Sequence, residues 1–239
     1  MRIDVESKGY ILIPAHNEEK NVAEVIDGII NLKTFRIDQI ILVNNGSTDN
    51  TSRIAIEKGI NVIDEPMLGY GNACLAGLNS IDKQPEWIMI MDADGSDDPE
   101  DLLRLLKCFL DTNSDLVIGS RTIGEREKGS MSPIQTFGNW LTCFLIFVFY
   151  RLSFTDLGPL RLIRYQSLLK MKLKDKTWGW NIEMQIRAIQ NDLLIVEIPV
   201  KYRKRKHGVS KISGTFRMAI RVGIKILYTF FKLTLFPKF

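Results

Sequence analysis

Histidine is scarce in this 239-residue sequence, which contains only His16 and His207. That excludes a metal centre built from several imidazoles. Cysteine is nearly as rare. Cys74, Cys108 and Cys143 are odd in number, scattered and set in apolar surroundings. They imply reduced core residues in a cytosolic setting, with no disulfide framework. The longest unbroken apolar run, CysPheLeuIlePheValPheTyr at 143–150, is well short of the roughly 20 residues that cross a bilayer. The N-terminal MRIDVESKGY has no apolar signal region. Internal repeats and low-complexity tracts are absent. Acidic residues are missing from 201–239, where eleven Lys and Arg lie, so the first 200 residues carry 21 basic against 28 acidic side chains. A basic end on an acidic body predicts an anionic partner. Nucleic acid fits poorly, because the basic residues are interleaved with Ile, Leu and Phe at helical spacing.

What is present is an ordinary globular composition, 45% hydrophobic and 25% charged, enough to bury a real core. In the first half, short apolar stretches alternate with helical patterns. Strands are predicted at 10–14, 39–43, 61–64, 87–91 and 115–119, and helices at 18–30, 49–58, 71–80 and 99–110. This alternation predicts βαβ units and a largely parallel sheet. Ligands of such sheets bind beyond the C-terminal strand ends, where strand order reverses. The second half reads differently. Residues 133–150 are strongly apolar and fit either a core helix or a helix lying in a membrane interface. Residues 215–233 repeat Arg217, Arg221 and Lys225 among Ile, Leu and Phe. A basic helix with bulky apolar residues fits an interfacial membrane helix. Docking on the protein's own core, or the start of a further membrane region, fits the same pattern.

The stretch MDADGSDDPE, Met91 to Glu100, packs five carboxylates into ten residues at the end of a predicted strand. Strand alternation turns Asp92 and Asp94 to one side. Aligned carboxylates repel unless a cation or shared proton lies between them. Hard oxygen ligands suit Mg²⁺ or Mn²⁺, which can bridge to a diphosphate. Asp97 fits solvent, a cap or the site, and the other acids have a structural explanation. Asp98 is placed as a helix cap, Pro99 at the first helical position, and Glu100 and Asp101 at the positive helix end. Three further polar stretches follow strands or open helices: ProAlaHisAsnGluGlu at 14–19, ValAsnAsnGlySerThrAspAsnThr at 43–51 and LeuGlyTyrGlyAsnAla at 68–73.

In this order, ending in Asp-Ala-Asp, the motifs resemble family 2 of the inverting glycosyltransferases. The likeness continues through GlySerArg at 119–121, TrpGlyTrpAsnIleGluMet at 178–184 and GluIleProValLysTyrArgLysArg at 197–205, followed by GlyValSerLys at 208–211. Within that family the pattern is similar to the polyprenyl- and dolichyl-phosphate mannosyl and glucosyl synthases. The resemblance implies a GT-A fold: an α/β domain over 1–211 with a mostly parallel sheet, followed by a basic amphipathic helix over 212–239. It implies a nucleotide-sugar donor in a pocket of Pro14, His16, Glu18, Asn45 and Gly71. Asp92 and Asp94 would hold the metal and diphosphate, and Arg121, Arg205 and Lys211 would meet phosphates. Asn45 stands where many relatives have Asp, which favours uracil over guanine as the base. Ser96 stands where relatives often have Gln. Asp156 and Glu183 are the candidate carboxylates should a hydroxyl acceptor need a base. A phosphate acceptor, already ionised, needs none. The expected protein is a metal-dependent hexosyltransferase on the cytoplasmic face of a membrane, acting on polyprenyl phosphate. The competing expectation is a soluble transferase with a hydroxyl acceptor.

Overall fold

The computed structural model describes residues 9–208 and 216–236. Lys211 lies outside them. The described residues form one seven-stranded sheet with helices packed on it. In chain order, β1 (Gly9–Ala15), α1 (Val22–Asn31), β2 (Ile40–Asn44), α2 (Thr51–Glu57), β3 (Asn61–Asp64), α3 (Tyr70–Asn79), β4 (Trp87–Ile90) and α4 (Glu100–Thr112) make the alternating half. Then come β5 (Leu116–Arg126), α5 (Pro133–Tyr150), β6 (Arg161–Arg164), α6 (Tyr165–Met171), α7 (Trp180–Gln190), β7 (Ile195–Tyr202) and α8 (Phe216–Leu235). The strand order is β3-β2-β1-β4-β6-β5-β7. β6 runs antiparallel to both β4 and β5, and the other pairs are parallel.

The five strands expected from the sequence all form, and β6 and β7 extend the sheet. The central strands are apolar on both sides because helices cover both faces, as a parallel sheet requires. Ile11, Ile13, Leu42 and Met89 pack against α1 and α4, while Leu12, Val43, Ile88 and Ile90 pack against α3 and α7. The chain leaves β1 toward β2 and β3, then returns to place β4 on the other side of β1. The β1–β4 crevice is therefore the point where strand order reverses. Pro14 sits where a proline does no harm. The β1–β4 ladder has already ended at Leu12↔Ile90, so the missing N–H is not needed there.

The apolar α5 is not a core helix. Only Thr142, Cys143 and Ile146 are buried, whereas Phe137, Trp140, Phe144 and Phe147 stand exposed. It is one helix long and apolar enough to cross a membrane by length and composition. α8 docks beside it, with Phe230 and Leu233 packing on Ile146, Ile182 and Ile186. The outward face of α8 leaves Ile224 63% and Tyr228 60% exposed.

Candidate active site

The loops after β1, β2 and β4 meet over the crevice. After β1, His16 Nδ1 faces the Asn45 carbonyl at 2.7 Å. Glu18 is buried, its backbone N–H donating to Thr51 Oγ1 at 2.8 Å. Asn45 is also buried, and both halves of its amide are engaged. Nδ2 donates to the carbonyls of Glu65 at 3.1 Å and Met67 at 2.8 Å, and Oδ1 accepts from Gly69 N at 2.8 Å. A carboxylate could not make the two donations. Asn45 thus ties down the 65–69 loop through both halves of its amide.

Gly71 is held in place by the neighbouring backbone. A Cβ there would lie 1.9 Å from the Asp175 carbonyl oxygen. Glycine is required because α3 begins against the 175–177 backbone, with Gly71 N donating to Thr177 O and Asn72 N to Lys176 O. Gly71 shapes the wall and contributes no side chain to a ligand. Pro14, wholly inside β1, likewise belongs to the scaffold.

Beyond β4 the acidic stretch divides as its chemistry suggests. α4 begins at Glu100, one residue later than predicted, and Asp98 Oδ1 accepts from Glu100 N at 3.1 Å. That is the expected capping job. Asp98 Oδ2 also accepts from Arg203 at 2.6 Å. Asp94 accepts from Ser96 N at 2.9 Å through Oδ1 and from Arg205 Nη2 at 2.9 Å through Oδ2. The other nitrogen, Arg205 Nη1, donates to both oxygens of Glu18, at 3.0 and 3.2 Å. Arg205 therefore clips the β1 loop to the β4 loop. Its pKa is raised: burial opposes this, but the charges of Asp94 and Glu18 outweigh it.

Two groups face the crevice unspent. Asp92 Oδ1 and Arg205 Nε are buried without hydrogen-bond partners. Burial first, then the Asp94 charge, push the Asp92 carboxyl up to about 7. Asp97, which the sequence leaves open between solvent, cap and site, and Tyr70, which it does not single out, join this site. Asp97 is buried, leaves Oδ1 unpartnered, and is held well above the usual carboxylate range by burial and by Asp92 and Asp94. The buried Tyr70 hydroxyl lies beside Asp92, and burial with that neighbouring charge raises its pKa strongly. Their signal is hard to see in sequence. Tyr70 is an aromatic between two glycines, and Asp97 is one acid among five.

This arrangement fits a divalent cation, because an orphaned carboxylate oxygen beside a second carboxylate is a hard, electron-rich place. Among the described residues no cluster of three or more His, Cys, Asp or Glu is set to hold an ion. The protein would supply Asp92 and Asp94, and diphosphate and water would supply the rest. That is the habit of Mg²⁺, which keeps waters and shares substrate phosphates.

Toward β5 the chemistry is different. Arg121 grips Asp156 in a bidentate pair, Nε to Oδ2 at 2.8 Å and Nη2 to Oδ1 at 2.7 Å, and its backbone N–H adds a third bond at 2.7 Å. The guanidinium also stacks over Tyr202, 5.0 Å from the ring centre. Burial alone would lower the Arg121 pKa, but Asp156 holds it above the ordinary value. Asp156 is fully buried. Glu197 fixes the segment by accepting from the backbone N–H groups of Thr155 and Asp156. Glu183 Oε2 accepts from the backbone N–H groups of Lys174 at 3.0 Å and Asp175 at 2.6 Å. Of the predicted site residues, Glu18, Asp92, Asp94 and Arg205 meet at the crevice. Arg121 borders them closely enough for its charge to favour ionised Asp92 and Asp97. Glu183 serves the 174–175 loop instead.

A doubly wound sheet with paired carboxylates at its switch point is an α/β fold with a ligand crevice where such folds carry one. The family model for glycosyl transferase family 2 matches residues 10–190, and the chain belongs to that family. An uncharacterized glycosyltransferase of Mycobacterium tuberculosis is 32% identical over 211 residues, covering 88% of this chain and 92% of the relative. The UDP-N-acetylglucosamine–dolichyl-phosphate N-acetylglucosaminyltransferase of Methanococcus voltae is 28% identical over 241 residues, covering 92% and 93%. Among solved structures, glucosyl-3-phosphoglycerate synthase of M. tuberculosis with Mn²⁺, UDP and glucosyl-3-phosphoglycerate aligns with a TM-score of 0.76 at 18% identity, covering 98% of this chain and 82% of that one. The fold is thus GT-A, and the protein is a glycosyltransferase.

Proposed function

We propose that this glycosyltransferase moves a hexose, with inversion, from a UDP- or GDP-sugar to polyprenyl phosphate at the cytoplasmic face of a membrane. The observation that carries the acceptor assignment is the state of the candidate bases. Both oxygens of Asp156 are held by Arg121, and Glu183 is committed to backbone N–H groups. A hydroxyl acceptor would need a free carboxylate within reach. With Asp156 and Glu183 engaged and Asp92 given to the metal in this reading, Asp97 is the unpartnered acid left to it. A phosphate monoester, with a second pKa of about 6, arrives ionised.

In this reading the donor diphosphate lies across the β1–β4 crevice. Asp92 and Asp94 would hold Mg²⁺ or Mn²⁺, which supplies charge neutralisation for the diphosphate when bound. Arg205 has an unspent Nε and exchanges its contact with Asp94 for diphosphate oxygens. An acceptor phosphate oxygen, steered by Arg121, forms a bond to the anomeric carbon from the face opposite the diphosphate. The bond from that carbon to the diphosphate oxygen breaks, and the nucleoside diphosphate leaves with the electron pair. Fixed cations aimed at that developing charge lower the barrier. The donor part of this reading is supported by the UDP named for the solved relative and the UDP-sugar named for the archaeal one. The dolichyl phosphate named for the latter supports a lipid acceptor.

The exposed faces of α5 and α8 are the membrane contact. α5 lies along the surface rather than crossing, because Asn139, within it, donates to Thr155 O at 3.1 Å and accepts from Leu157 N at 2.8 Å. These bonds fasten the helix to the Asp156 segment. The test is incubation with UDP- and GDP-hexoses, Mg²⁺ or Mn²⁺, and polyprenyl phosphate, scoring lipid-linked sugar. Transfer to 3-phosphoglycerate or another hydroxyl compound, with none to lipid, would replace this acceptor by the soluble alternative.

A further inference from the structure

A cavity of about 280 Å³ lies between the loop before α7 and α8, away from the crevice just described. Lys174, Lys176, Lys225 and Lys232 line it, with Tyr228 at its side and Asp175 in its wall. The acids there are already satisfied. Asp175 Oδ1 accepts from Thr177 N at 2.8 Å and Gly179 N at 3.1 Å. Its Oδ2 pairs with Lys225 at 2.6 Å. Glu183, also in the lining, holds the backbone N–H groups of Lys174 and Asp175. Lys174, Lys176 and Lys232 are exposed, and among the described residues none of them pairs with a carboxylate. The cavity thus keeps three uncompensated cations around a neutralised floor.

We propose that this cavity binds the phosphate of an anionic phospholipid headgroup, a site separate from donor and acceptor. Its position selects a lipid over a dissolved ion. Lys225 and Lys232 lie two turns apart on α8, the helix whose outward face exposes Ile224, Phe231 and Leu235. A headgroup among the lysines would leave its acyl chains on that apolar face. Lysines suit such a place, because their stems cover apolar surface while the ammonium reaches the headgroup level. The backbone of Lys176 and Thr177 also abuts the start of α3, next to Tyr70 and Asp92. An occupied cavity would therefore brace the wall of the donor crevice.

The inference rests on the membrane reading of α5 and α8, yet the two fail separately. Dihexanoyl phosphatidic acid, kept below its micelle concentration, is titrated into the full chain by calorimetry, so no bilayer is needed. Inorganic phosphate and dihexanoyl phosphatidylcholine are the comparison ligands. The expected result is saturable binding of phosphatidic acid, weakened roughly tenfold or more in K174A/K176A/K232A and less than about threefold in R217A/R221A. All three lysines are exposed, so an unchanged Tm verifies the fold. Equal weakening in both variants would mean diffuse attraction to a basic helix and would overturn the site. Phosphate binding as tightly as the lipid would make it a free-anion site and overturn the lipid. Indifference between phosphatidic acid and phosphatidylcholine, or no saturable binding at all, would also overturn it.

Discussion

The two halves of the sheet handle polarity in opposite ways. Around β1, β2 and β4 the buried side-chain atoms left without a hydrogen-bond partner gather beside one crevice: Tyr70 Oη, Asp92 Oδ1, Asp97 Oδ1 and Arg205 Nε. Around β5 the Arg121–Asp156 pair is closed, and α5 leaves apolar surface over, with Trp140 57% and Phe137 60% exposed. Unsatisfied charge on one side and unsatisfied apolar surface on the other are both costly unless something covers them. On the proposed function the first half takes a charged, water-borne ligand and the second a lipid. Arg121 sits at the seam, its guanidinium turned to Asp156 and its charge felt by Asp92 and Asp97.

The strongest break in this comparison is Asp94→Ala. It removes the carboxylate that positions Arg205 and, in the proposed function, faces the diphosphate. The expected loss is roughly 100- to 1,000-fold in turnover, read as metal-dependent nucleotide release. Retained full activity would remove the metal and diphosphate from this crevice. Next is Asp156→Asn. Breaking a buried ion pair costs about 3–5 kcal/mol, so the expected outcome is a clear drop in Tm together with lost transfer. Lost transfer at an unchanged Tm would instead mark Asp156 as a general base and favour a hydroxyl acceptor.

The apolar half is tested by W140S/F144S. Both side chains are exposed and stack on each other at 5.6 Å between ring centres, so stability should change by no more than about 0.5 kcal/mol. Flotation with vesicles should fall strongly, and transfer to polyprenyl phosphate with it. Unchanged flotation would detach this face from the membrane.

How far the sequence reached follows the same division. β1, β2 and β4 are legible because each is a short apolar run ended by turn chemistry. The motifs after them are legible because the fold gathers successive strand ends. β6 is not legible. Arg161–Arg164 begins and ends on arginine, and Arg161 is fully buried, held by Gly158 O, Asn181 O and Gln185. Nothing local announces that such a charge points inward. β7 contains Pro199, which argues against a strand until the topology places β7 at the sheet edge. Asn45 is only partly legible, for the opposite reason. Its position beside a binding motif suggests base reading, while its actual partners are backbone carbonyls twenty and more residues on. Such long-range partners are what a linear reading lacks.

The smallest expected effect tests the charge balance of the crevice itself. Burial and Asp94 raise the Asp92 carboxyl to about 7 in the folded protein, against about 3.9 for an unfolded aspartate. Between those values the folded state holds a proton that the unfolded state has released, so stability falls as pH rises through this window. Above pH 7 the folded protein must carry that buried charge beside Asp94, offset only in part by the Tyr70 hydroxyl and the charges of Arg121 and Arg205. Asp92→Asn removes that cost. The metal-free variant should therefore melt above the wild type at pH 8, by about 2–4 °C for each kcal/mol recovered. The gain should shrink toward pH 5, where Asp92 is already protonated. Added Mg²⁺ or Mn²⁺ with UDP should raise the wild-type Tm, more at pH 8 than at pH 6, because the cation must displace the proton. It should leave the variant where it was. A variant that melts below wild type at pH 8 would mean that Asp92 is paired in the resting protein. The crevice would then not be the place where charge waits for a ligand.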